Sequence, residues 1–132
     1  MEFASRSDLD VEAYLRRRVS FSVRCPPRHD TGFLVRGAGV CQLDRSEAAY
    51  LAGEVDGNAV SIFILPSQSL THFPHQQQAL QREATHRCRE GKYEMVMAEI
   101  DRSVVLVVGQ VDSERLRRVL QAYGTYPHSS SI

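Results

Sequence analysis

The chain has no tryptophan, a single lysine, no net charge and only three cysteines. Each shortage narrows what it can do. Sixteen basic residues balance sixteen acidic ones, so the surface exerts no general pull on nucleic acid or on an anionic membrane. All but one of the basic residues are arginine, the side chain suited to bidentate pairing with carboxylates. The odd set Cys25, Cys41 and Cys88 excludes a fully paired disulfide scaffold, leaving room for one bridge and one free thiol, and does not fix the compartment. No apolar run approaches the roughly 18–20 residues of a membrane-spanning helix. The longest, such as VVLVVG at 104–109, are strand-sized. The opening MEFASRSDLD has no basic segment followed by an apolar one, so it does not read as a signal peptide. Residues 1–7 are expected to be disordered or a vector-derived leader.

What is present suffices for one core: 42% of 132 residues are hydrophobic, and two separate domains of half that size would be marginal. A single α+β domain over 8–124 and a flexible tail over 125–132 are expected. DLDVEAYLRRRV (8–19) reads as a helix, capped by Asp8 or Asp10, with acids early and arginines late to suit its dipole. FSVRC (21–25) alternates like a short strand and stops at Pro26–Pro27. FLVRGAGVCQL (33–43) suggests a strand in which Gly37 and Gly39 mark a bulge or a close backbone approach. AAYLAGEV (48–55), the turn DGN (56–58) and VSIFILP (60–66) form a hairpin, because Asp-Gly readily takes the positive φ values of a tight primed turn. HQQQALQREATHRCRE (75–90) reads as one surface helix with a thin apolar stripe. YEMVMAEI (93–100) and VVLVVG (104–109) make a second hairpin, and SERLRRVLQAY (113–123), capped by Asp112 or Ser113, makes an amphipathic final helix. The expected fold is α+β: a mainly antiparallel sheet of about five strands with helices packed on one face, in the order α-(β)-β-β-β-α-β-β-α.

Chemistry is sparse. RGAGV lacks both the G-x-G-x-x-G that opens a helix and the lysine and hydroxyl of a phosphate loop, which argues against nucleotide binding. Asp44, Glu47, Glu54 and Asp56 flank turns, where solvated carboxylates are the default. The arginines at 16–18 and at 115, 117 and 118 lack interleaved aromatics, so no nucleic-acid platform is expected. The densest donor cluster is His72, His75, His86 and Cys88. These are potential metal ligands, yet their spacing matches no closed zinc site, and on a helix His86 and Cys88 would point apart. Incidental surface histidines are the plainer explanation, so no cofactor and no metal is expected. Cys41 reads as a small core hydrophobe. Cys88, between Arg87 and Arg89, is the better candidate for a reactive thiol, although no third group can be placed beside it.

Three blocks carry a resemblance: RRRVSFSVRCPP, then GFLVRGAGVCQLDRSEAAYLAGEVDGNAVSIFILP, then YEMVMAEIDRSVVLVVGQVDSERLRRVL. Their order resembles the soluble extracytoplasmic region of bacterial transmembrane anti-sigma factors. The corresponding pieces are Leu34 to Val40, Ala48 to Val55, Val60 to Pro66, Tyr93 to Ile100, Val104 to Val108, and Asp112 to Leu120, within about residues 11–123. The family's tryptophan has no match near Met97, and Gln110 stands where it has an aspartate. The resemblance implies a non-catalytic regulatory domain on the outer side of a bacterial inner membrane, its parent membrane-anchored and controlling transcription. Its partner would be a protein, or a second copy in a homodimer, met through a sheet edge or an apolar face. The alternatives are a metal- or small-ligand sensor built on the His/Cys cluster and a small thiol-dependent enzyme.

Overall fold

The computed structural model describes residues 2–124, so the tail expected at 125–132 lies outside the described residues. Its centre is the expected hairpin. Strands β3 (Ser46–Val55) and β4 (Asn58–Pro66) pair antiparallel from Ala49↔Ile64 to Val55↔Asn58. Asp56 (φ 53°) and Gly57 (φ 79°) both lie in the left-handed region, as a tight primed turn requires. The second hairpin, β6 (Tyr93–Ile100) and β7 (Ser103–Gly109), makes the same reversal through Asp101 (φ 49°) and Arg102 (φ 68°), without a glycine. β2 (Leu34–Leu43) pairs with β3 and carries a bulge at Arg36, between the Val35↔Gly53 and Gly37↔Ala52 pairs.

Among the described residues the sheet has seven strands, not about five, in the order β1-β2-β3-β4-β7-β6-β5, with every neighbouring pair antiparallel. The two extra strands are its edges. β1 (Phe3–Ala4) lies in the segment expected to be a leader and pairs with Gly37 and Ala38. β5 (Thr85–Glu90) replaces the second half of the expected helix over 75–90, for the helix there, α3 (Pro74–Arg82), stops short and Glu83 is already extended. An edge strand with water on much of both faces needs no apolar alternation. THRCRE is held instead by backbone pairing to β6, from Thr85↔Ala98 to Glu90↔Tyr93, around Gly91 (φ 62°).

One face of the sheet carries the main core. Helices α1 (Asp8–Arg16) and α4 (Ser113–Gly124) bring Val11, Leu15, Leu116, Val119 and Leu120 against Ile62, Ile64, Val96, Val105 and Val107. Ser7, rather than Asp8 or Asp10, caps α1 by accepting from the Asp10 N–H at 3.2 Å. Asp112 caps α4, accepting from the Arg115 N–H at 3.0 Å. The expected strand at 21–25 is irregular: the Arg24 N–H donates to the Tyr123 hydroxyl (3.1 Å) and the Cys25 N–H to the Glu12 carboxylate (2.7 Å). A one-turn helix, α2 (Arg28–Thr31), follows, ended by Gly32 at φ 74°.

The expectation of helices on one face alone also needs correction. The 3-10 helix at Ser67–His72 and α3 (Pro74–Arg82) lie on the opposite face, at the end where β2 and β4 finish and β7 begins. Leu70 and Ala79 are buried there. The thin stripe on α3 is enough because the helix covers only that corner.

Candidate functional site

Pleating sends alternate residues to opposite faces, so the cross-strand register defines what the second face shows. Gly39, Tyr50, Phe63, Leu106 and Met97 follow one another across β2, β3, β4, β7 and β6. Met95 and Val108 form the neighbouring pair. Tyr50, Phe63, Leu106, Val108, Met95 and Met97 are all half-buried. Tyr50 lies flat across β2 because position 39 has no side chain; a Cβ there would stand 2.5 Å from the phenol oxygen and 2.7 Å from the ring. The Tyr50 and Phe63 rings are 6.2 Å apart and tilted by 45°. Where this stripe meets the 3-10 helix and α3 it deepens into an apolar groove of about 180 Å³, lined by Leu43, Leu65, Leu70, Phe73, Met97 and Leu106 among others.

The donor residues sit around the α3–β5 corner of this face. β5 being a strand, His86 and Cys88 share a face instead of pointing apart. They stand directly across from Met97 and Met95. His75, at the start of α3, brings its ring to 6.4 Å from that of His86, edge to face. The His86 Nδ1 is 3.2 Å from the Glu83 carboxylate. His72 is not part of this group, since its Nδ1 meets the Ser46 hydroxyl at 2.8 Å. Among the described residues no group of three or more His, Cys, Asp and Glu side chains is arranged to hold a metal. Met95 and Met97 join the corner only through the β5–β6 register, which a helix over 75–90 would not provide; the alternation in YEMVMAEI marks a strand but not what that strand faces.

The other reactive-group candidates have structural roles. Burial, with Asp8 and Glu12 beside it, pushes the Cys25 thiol well up, leaving it inert as a nucleophile. Burial, then Glu2, also raises Cys41. Cys88 is exposed, but no described hydrogen bond joins it to His86, and the cavity they share is only about 30 Å³. Glu54 pairs with Arg36 at 2.8 Å, and Asp56 pairs with Arg115, tying the β3–β4 turn to α4.

No family model matches the chain, and no curated protein matches it. Among solved structures, MucB from the crystal structure of MucB in complex with MucA(peri) superposes with a TM-score of 0.48 at 21% identity. The match covers 72% of this chain and 32% of that one, so the chain spans about a third of the length of that neighbour.

Proposed function

We propose that the chain is a non-catalytic regulatory domain that acts by binding another protein, as the outer module of a membrane-anchored anti-sigma factor. One observation carries the binding role: the continuous half-buried stripe of Tyr50, Phe63, Leu106, Val108 and Met95 on the sheet face whose middle none of the described helices covers. A contiguous apolar surface of this kind is a cost to an isolated domain and a gain once a partner covers it. The two tilted aromatic rings at its centre, Tyr50 and Phe63, have the chemistry of an interface anchor. The anti-sigma assignment rests on the motif order from Leu34 to Leu120, including the hairpin and the VVG–x–VD passage into α4. The outer side of a bacterial inner membrane, and a partner that is protein rather than nucleic acid, follow from that assignment and from the zero net charge.

The test is transcriptional. Phe63→Glu or Val108→Glu, introduced into the parent gene in its own host, places a charge in the stripe without touching the main core. Severalfold altered output from the promoters of the cognate sigma factor is expected, at unchanged protein level. Wild-type output from both variants, and from a parent lacking residues 8–124, would sink the reading.

A further inference from the structure

The α3–β5 corner has the donor set of a soft-metal site. His86, Cys88, Met95 and Met97 all line one cavity of about 30 Å³, room for a single ion or water and too little for an organic ligand. The four come from two paired strands in fixed register, His86 opposite Met97 and Cys88 opposite Met95, so the ladder holds them together. Nδ1 of His86 lies 3.2 Å from the Glu83 carboxylate. Carrying the proton there leaves the lone pair on Nε2, the carboxylate–imidazole arrangement that fixes the tautomer of metal-binding histidines. His75 adds a second imidazole at 6.4 Å between ring centres. With each nitrogen about 2.0–2.1 Å from an ion, two rings sharing one metal stand roughly 5–6 Å apart, so a small rotation closes the gap.

The identity of the donors selects the ion. A closed zinc site needs four donors drawn from imidazole, thiolate and carboxylate. With Glu83 engaged by His86 this corner offers at most three, His75, His86 and Cys88, and among the described residues no such group stands arranged to hold an ion. The set is completed by two thioethers, which bind cuprous copper and contribute little to zinc or to hard cations. We propose that His86, Cys88, Met95 and Met97 bind one Cu(I) ion, with His75 at the rim and Glu83 as the positioning residue for His86. Binding replaces the Cys88 S–H proton by copper and releases that proton; no electron is transferred. Cys88 and His75 are exposed, so the ion has a direct way in. This site stands independently of the regulatory role proposed above.

The full chain, purified without a histidine tag and kept reduced, is titrated anaerobically with Cu(I) in competition with bicinchoninate. One equivalent per chain should be withdrawn from the competitor, with sulfur in the copper coordination sphere by X-ray absorption. Cys88→Ser and the pair M95L/M97L should each weaken binding by about tenfold or more, and Glu83→Gln by about tenfold. Cys41→Ser should leave affinity unchanged. Methionine to leucine conserves volume, and circular dichroism matching the parent protein shows that each variant is folded. Failure to compete for copper, a coordination sphere without sulfur, or full affinity retained by both C88S and M95L/M97L would each overturn the site. Tighter binding of Zn(II) than of Cu(I) would overturn the choice of ion.

Discussion

The segment between α1 and α2 is held by side chains, and this makes its contribution measurable. Glu12 is 8% exposed, and its carboxylate accepts from the Cys25 N–H at 2.7 Å; Tyr123, 3% exposed, accepts from the Arg24 N–H at 3.1 Å. Glu12→Ala leaves a buried N–H without that acceptor. A hydrogen bond to a charged group is worth about 1.5–3 kcal/mol, and alanine recovers only a few tenths through helix propensity. The expected loss is therefore about 2 kcal/mol. Glu12→Gln keeps an acceptor oxygen and gives up only the charge, for about 0.5–1 kcal/mol. Tyr123→Phe removes a neutral bond, for about 1 kcal/mol. Urea unfolding should show lower midpoints with an unchanged slope, and the melting temperature of E12A should fall by roughly 6–10 °C. Because both bonds secure one segment, the double variant E12A/Y123F should lose less than the sum of the singles. E12A within about 0.5 kcal/mol of the parent protein, or E12Q as damaging as E12A, would refute this account of the segment.

Gly53 opposes Val35 beside the bulge, and a Cβ there would stand 2.4 Å from the Leu34 carbonyl oxygen and 2.6 Å from the Phe33 ring. Backbone cannot yield as a side chain can, so Gly53→Ala should cost about 1–3 kcal/mol in urea unfolding, and an unchanged midpoint would contradict the register. For Cys25, burial raises the folded-state thiol above its unfolded value, so the folded state keeps a proton that the unfolded chain releases above about pH 8.5. Unfolding free energy should therefore decline as pH rises through about 8.5, a slope that Cys25→Ala reduces, leaving the part that the raised Cys41 thiol contributes; iodoacetamide should modify Cys88 first and Cys25 only on unfolding. Equal labelling rates for Cys25 and Cys88 in the folded protein would count against it.

Legibility followed burial. The β3–β4 and β6–β7 hairpins were readable because their strands are apolar and their turns carry Asp-Gly or a polar pair where φ must be positive. α4 was readable because one face must meet the core, which leaves a stripe from Leu116 to Tyr123. β5 was not. THRCRE has the composition of a surface helix and becomes a strand only because the free edge of β6 supplies its backbone partners. The reverse error occurred at 21–25, where alternation suggested a ladder but Glu12 and Tyr123, 13 and 99 residues away in sequence, take the N–H groups instead.

The donor corner shows the same division. His75, His86 and Cys88 were visible as residue types, and His72 was grouped with them on spacing alone. Its bond to Ser46 separates it, while the β5–β6 register brings in Met95 and Met97, which no linear motif connects to His86 and Cys88. By itself the sequence determined the local preferences that depend on neighbours within a few positions: turn geometry, strand composition, the amphipathic last helix and the absence of net charge. The tertiary structure alone decided which strand lies at the edge, which apolar face stays open, and which donors share a cavity. Those outcomes depend on backbone pairing and side-chain contacts between segments far apart in the chain, and local periodicity carries no record of them.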